Sequence, residues 1–199
     1  MTPADETRVY LVRHGETDWN REHRLQGVLD IPMNSAGAKQ ARRLAEHFSG
    51  RHISCVITSP LVRATATAAV VADACRCPLV ADARLGEVDH GSWTGRTLAE
   101  IAADHPSLVA YGQLCPAAFG VGGGESLMDV FGRASAALND LVARHAGESI
   151  VVVSHGVALA LMACAARGAA AVDFHAHMPP NAGSVSLTFA RATIQMGRH

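Results

Sequence analysis

Two short apolar runs constrain this chain more than any other feature: Val9 to Val12 stops at Arg13-His14-Gly15, and Ile150 to Val153 stops at Ser154-His155-Gly156. A short continuous apolar run closed by polar residues reads as a strand buried on both faces, the kind found at the centre of a parallel sheet. Along the rest of the chain β-like and helical patterns alternate, the signature of an α/β fold. The expected architecture is a three-layer sandwich, a mostly parallel central sheet with helices on both faces and the active site at the carboxyl ends of the strands.

Strands are expected at Arg8 to Val12, Cys55 to Thr58, Pro78 to Ala81, Ile150 to Val153 and Val185 to Phe189, the last an alternating edge strand. Ser35 is expected to cap a helix that Gly50 ends, and Pro60 to take the first position of the next. The longest helical pattern runs from about Ser126 to His145, with Leu127, Val130, Phe131, Ala134, Leu138, Leu141 and Val142 on one apolar face and Gly147 as its stop.

With 199 residues, 49% of them apolar and 18% charged, the chain can bury one sizeable core, and a single domain over 1–199 is expected. A formal net charge of −1 without a basic block shows no footprint for nucleic acid. No apolar stretch precedes Val9, and later runs such as Val157 to Ala166 are too short to span a bilayer, so neither a secretory leader nor a membrane is expected. Five cysteines, an odd and sparse set, point to a reduced, cytoplasmic setting. Cys75-Arg76-Cys77 lacks zinc-site spacing and His175-Ala176-His177 lacks an obvious partner, so no metal is expected and both histidines are assigned to the surface.

The strand ends carry the chemistry. Ligands of open α/β sheets bind beyond the carboxyl ends of the strands, and parallel neighbours would set His14 and His155 side by side there. Arg63, soon after the second strand, belongs to the same rim. Helix N-termini at Pro60 and after Gly156 would offer free amides to an anion. Phosphoryl transfer needs in-line positioning and charge neutralisation. His14 suits the nucleophile, since a neutral imidazole keeps one free ring nitrogen. Arg13 and Arg63 supply planar forks for phosphate oxygens, and a charged His155 would stabilise the transferring group. An acid in the Glu87-Val88-Asp89 stretch would protonate the leaving alkoxide and then activate water, and the residues alone do not separate Glu87 from Asp89.

The motifs now support a resemblance. Arg13-His14-Gly15-Glu16-Thr17 with Trp19-Asn20, Leu25-Gln26-Gly27, Asp30 and Pro32 is similar to the histidine phosphatase superfamily in its phosphoglycerate-mutase-like branch. Ser59-Pro60-Leu61-Val62-Arg63-Ala64, Leu85-Gly86-Glu87 and Val153-Ser154-His155-Gly156 follow in compatible order, so the resemblance covers nearly the whole chain. It implies the same five roles for Arg13, His14, Arg63, Glu87 and His155, selects Glu87 as the acid, and adds Asn20, Gln26 and Gly27 to Gly156 as phosphate or substrate contacts. It also implies that no cofactor is needed, and since dimers are common in the family a homodimer is an expectation.

Within that family the glycolytic mutases carry a longer insertion, an Arg-His-Tyr-Gly run after the glutamate and paired arginines that grip a carboxylate. Here Val88-Asp89-His90-Gly91 follows Glu87, and Arg96 is the lone arginine between Gly95 and Gly122. The chain is more similar to the compact phosphatases, which implies a metal-independent phosphomonoesterase acting on a small phosphorylated metabolite through a phosphohistidine. The alternatives are a mutase and a non-catalytic phosphate-binding module. A serine hydrolase would need G-x-S-x-G, which does not occur. Residues 88–125 are expected to form a lid, with Trp93, Tyr111 and Phe119 as its apolar contacts and the Gly122-Gly123-Gly124-Glu125-Ser126 run as a flexible entry in which Ser126 caps the long helix.

Overall fold

The computed structural model describes residues 6–110 and 112–190. In chain order it contains β1 (Glu6–Arg13), α1 (Asp18–Arg21), α2 (Ser35–Phe48), β2 (Cys55–Thr58), α3 (Val62–Cys75) and β3 (Leu79–Ala81). Next come α4 (Leu98–Asp104), the small hairpin β4 (Val109–Ala110) and β5 (Gln113–Leu114), α5 (Leu127–Arg144), β6 (Ser149–Ser154), α6 (Gly156–Arg167) and β7 (Ser184–Ala190). The central five-stranded sheet has the order β3-β2-β6-β1-β7, parallel except for β7, which pairs antiparallel with β1 at the edge.

Side-chain alternation along the central strands feeds two cores. Val9, Leu11, Ile150 and Val152 face α5 and α6 through Leu138, Leu159 and Met162. Tyr10, Val12, Val151 and Val153 face α2 and α3 through Phe48, Ala64 and Val71. Helix α6 is buried from Gly156 to Cys164 because it lies between the sheet and a third cluster that includes Val130 and Phe174. Among the described residues no single helix is long and apolar enough to cross a membrane.

Several local expectations are corrected. The N-cap of α2 is Asn34, whose side chain accepts from the Gly37 amide, so Ser35 is the first helical residue. Helix α3 starts at Val62 with Leu61 as its N-cap, not at Pro60; the Val62 amide donates to the Asp30 carboxylate, a cap from a distant loop that local sequence does not show. Gly122 and Gly124 are packed rather than a flexible entry, while Gly123 between them is exposed and faces open space. A Cβ on Gly124 would lie 2.1 Å from the Asp89 carbonyl oxygen and one on Gly91 2.2 Å from that of Gly122, so these glycines let two loop backbones touch. Residues 86–126 carry a cluster of their own, Trp93, Ile101, Leu114 and Ala118, which makes Trp93 a buried anchor. Tyr111 lies outside the described residues.

Candidate active site

The register of β1 on β6 brings the two histidine-bearing tips together. Val12 faces Val153 and Arg13 faces Ser154, and the ladder continues as the His14 amide donates to the Ser154 carbonyl at 3.0 Å. The imidazoles of His14 and His155 stand 5.1 Å apart between centroids. Arg13, His14, Asn20, Gln26, Gly27, Arg63, Glu87 and Gly156 line one pocket of about 270 Å³, and His155 packs behind His14.

His14 is buried, and its Nδ1 is 2.8 Å from the Gly15 carbonyl oxygen. A carbonyl only accepts, so Nδ1 carries the proton and Nε2 keeps the lone pair. Burial, and then the charges of Arg63 and Arg13, push its pKa down to about 3, so the ring stays neutral. Burial first, then His14 and the arginines, lowers the pKa of His155 well below the usual value, whereas the sequence expectation of a charged ring concerns His155 beside an anion. Its Nε2 shares a 2.7 Å hydrogen bond with Ser59 Oγ, while Nδ1 is buried without a partner.

Arg63 is fully buried, against the ordinary expectation for an arginine in a first helical turn. Its two terminal nitrogens donate to the carbonyls of Leu29, at 2.6 Å, and Gly27, at 2.8 Å. Arg13 donates to the Pro179 carbonyl at 3.0 Å, and a Cβ on Gly156 would lie 3.3 Å from its guanidinium carbon, so a glycine there gives the fork room. The Nε atoms of Arg13 and Arg63 and Nδ1 of His155 are all buried and unpartnered, as is the acceptor Oε1 of Gln26. Buried polar atoms are rarely left unpaired, and the guanidinium groups of Arg13 and Arg63, which line the pocket, suit the oxygens of an anion.

Both helix N-termini expected to hold that anion are otherwise engaged. The first amide of α3 goes to Asp30. At α6 the amides of Val157 and Ala158 lie 3.4 and 3.3 Å from the Glu87 carboxylate, so the positive end of the helix faces Glu87 instead. Asn20 Oδ1 completes a capping box with Thr17 and also accepts from Asn181.

Sequence reading missed the support behind Glu87. Arg133 of α5 donates to the carbonyls of Arg84 (2.9 Å), Gly86 (2.7 Å) and Glu87 (3.0 Å) and pairs with Glu125. Glu125 in turn accepts from the Asp89 amide at 3.0 Å. Glu125 lies just before the Ser126 cap of α5 and eight residues ahead of Arg133, a spacing that the sequence does display. His175 is also corrected: it lines the pocket, with Nε2 donating to the Leu114 carbonyl, whereas His177 contacts Arg167. Among the described residues no group of three or more His, Cys, Asp or Glu could hold a metal ion.

The model of the histidine phosphatase superfamily (branch 1) matches residues 9–199. The chain belongs to that superfamily. This histidine phosphatase is 36% identical to phosphoserine phosphatase 1 of Hydrogenobacter thermophilus, over 81% of its own length and 76% of the relative's. It is 38% identical to a Proteus mirabilis protein named "Probable phosphoglycerate mutase GpmB", over 76% and 71%. Among solved structures it is similar to a mycobacterial glucosyl-3-phosphoglycerate phosphatase complexed with VO3, at 30% identity and TM-score 0.78 over 90% of each chain.

Proposed function

We propose that this histidine phosphatase hydrolyses a small phosphomonoester through a phosphohistidine on His14, with no metal. The observation that carries the reading is the pinned tautomer of His14, whose free Nε2 lies among Arg13, Arg63, His155 and Glu87. In the first step Nε2 donates its lone pair to phosphorus, the P–O bond to the leaving group breaks, and Glu87 passes its proton to the departing alkoxide. Arg13, Arg63 and His155 neutralise the equatorial oxygens. A dianion at His155 Nδ1 would favour the imidazolium, so His155 gains its charge with the substrate. In the second step Glu87 takes a proton from water, the water oxygen bonds to phosphorus, and the P–N bond returns its electrons to His14.

Asn20, Gln26, Gly27 and Gly156 complete the phosphate and substrate contacts in this reading, and residues 88–125 act as the selecting lid of a single domain. Free thiols at all five cysteines favour a reducing, cytoplasmic setting. The family resemblance supports a homodimer.

The similarity to a protein named as a phosphoglycerate mutase favours a second reading, transfer within one substrate. A mutase must keep its carboxylated substrate between transfers. The remaining arginine of the pocket, Arg24, is already matched by Glu22, by Glu100 and by the Gly95 carbonyl. Release of p-nitrophenol and inorganic phosphate between about pH 4.5 and 8 in EDTA, for the wild-type chain and His14→Ala, decides between them. Metal-independent release lost in the variant, with phosphate trapped on His14 after an acid-free quench, is the expected result. Isomerisation of a phosphoglycerate without net phosphate release would establish the mutase, and tight phosphate binding with neither activity the binding module.

A further inference from the structure

The phosphoryl end of the pocket is described above; its outer end has a different chemistry. Trp19, Leu25, Leu98, Leu114, Phe119 and Phe174 line it, with Gln113 among them, and Leu25, Leu98 and Phe119 pack in one cluster with Leu114. Part of this lining is a continuous run of rings: Phe119 meets Phe174 edge-on at 5.5 Å, and Phe174 carries His175 at 3.8 Å. Val157 and Met178 add apolar surface to the same pocket.

The charges are as informative as the rings. The charged side chains that line the pocket, histidines aside, are Arg13, Arg63, Glu87 and Arg24. The first three face the phosphoryl group. Arg24 donates through Nε to Glu22 at 2.7 Å and through Nη1 to the Gly95 carbonyl at 2.9 Å, with Glu100 3.9 Å away. A carboxylate on the substrate would meet a cation whose charge is already balanced twice. Burial holds the pKa of His90, beside Phe119, below its usual value against the opposing pull of Glu87, Asp89 and Glu125. His175 spends its Nε2 proton on the Leu114 carbonyl, and its Nδ1 is buried without a partner. His23 stands exposed at the mouth.

We infer that the leaving group accepted by this site is uncharged and largely apolar or aromatic, so that the phosphate carries the substrate's whole charge. This rests on the phosphomonoesterase reading above and narrows it, because carboxylated esters such as phosphoserine and phosphoglycerate become poor substrates. Burying an unpaired carboxylate against these rings is unfavourable, whereas an apolar group gains from leaving water.

The test compares primary alkyl esters. kcat/KM is measured by phosphate release at about pH 8, where histidines of ordinary basicity are uncharged, for 2-phenylethyl phosphate, glycerol 3-phosphate, O-phosphoserine and 3-phosphoglycerate. The phenylethyl ester is expected to exceed both carboxylated esters by at least roughly tenfold, the value of one modest hydrophobic subsite, with glycerol phosphate between them. Phe119→Ala narrows that ratio by raising KM for the phenylethyl ester. Equal or greater kcat/KM for phosphoserine or 3-phosphoglycerate overturns the inference.

Calorimetric Kd values for the same four esters on His14→Ala rank them without turnover. If the wild-type chain is inactive and the apolar ester still binds best, the phosphatase reading fails and the pocket inference stands. If the chain is active and the carboxylated esters bind best, the pocket inference fails alone.

Discussion

A buried histidine that must stay neutral leaves its mark on the whole pH response of the protein. His14, with a pKa of about 3, and His155 and His90, also lowered mainly by burial, bind protons more readily in the unfolded chain than in the folded one. Below the unfolded value of about 6.5 the unfolded state therefore takes up protons that the folded state refuses, and stability falls as pH falls from about 6.5 toward 3. Each such group contributes a slope of up to about 1.4 kcal/mol per pH unit in that window. Urea midpoints measured across it should decline steadily on the acid side, and a flat profile would contradict neutral burial of these rings. For the same reason protonation of His14 should impose no loss of kcat/KM between about pH 7 and 5, whereas an unperturbed imidazole nucleophile would lose activity across that range. Histidine residue types and strand-end positions were readable from sequence, and so was the pairing of His14 with His155. The lowered pKa of His155 was not, because desolvation depends on Ser59, Arg63 and the surrounding core closing over it.

At the scale of elements, α5 holds the segment that carries Glu87. Three carbonyls, those of Arg84, Gly86 and Glu87, converge on the single guanidinium of Arg133, which makes it a positioning residue. Arg133→Met should lower kcat/KM by about 10- to 100-fold for an alkyl phosphate, whose leaving group needs a proton, with far less effect on 2,4-dinitrophenyl phosphate, the range expected of impaired general acid catalysis. Arg133→Lys should recover part of the loss, and equal losses on both esters would mark a merely structural role. A second contact between elements is steric. A Cβ on Gly37 in α2 would lie 2.1 Å from the Glu16 carbonyl oxygen, and one on Gly15 2.5 Å from that of Gly37. Gly37→Ala should therefore destabilise the fold by about 2–3 kcal/mol, at the upper end for overpacking, measurable by urea unfolding. The boundaries of β2 and α5 could be read from local pattern because an apolar run and the Ser126 capping box mark them. The start of α3 could not, since its cap is Asp30.

At the scale of the whole molecule, a parallel sheet gathers onto one edge residues that the chain spreads from Arg13 to Gly156. Orthophosphate should bind there and raise the unfolding free energy by about 2.7 kcal/mol at a concentration of 100 Kd. In Arg13→Gln that gain should shrink, since one of the forks facing the anion is lost; thermal unfolding with and without phosphate measures both. Identical shifts in the two proteins would place phosphate elsewhere. By itself the sequence determined the layered α/β class, the central strands and the family, because apolar runs, strand tips and four ordered motifs are local patterns. It also placed Arg13, His14 and His155 together, since side chains at the carboxyl ends of neighbouring parallel strands share an edge whatever the loops do. Tertiary structure alone decided that Glu87 occupies the N-terminus of α6, that Arg133 and Glu125 brace it, that His175 turns inward, and that the glycines near residue 122 are packed. Each of these depends on which distant backbone comes within a few ångströms, a matter of packing between elements that no local pattern encodes.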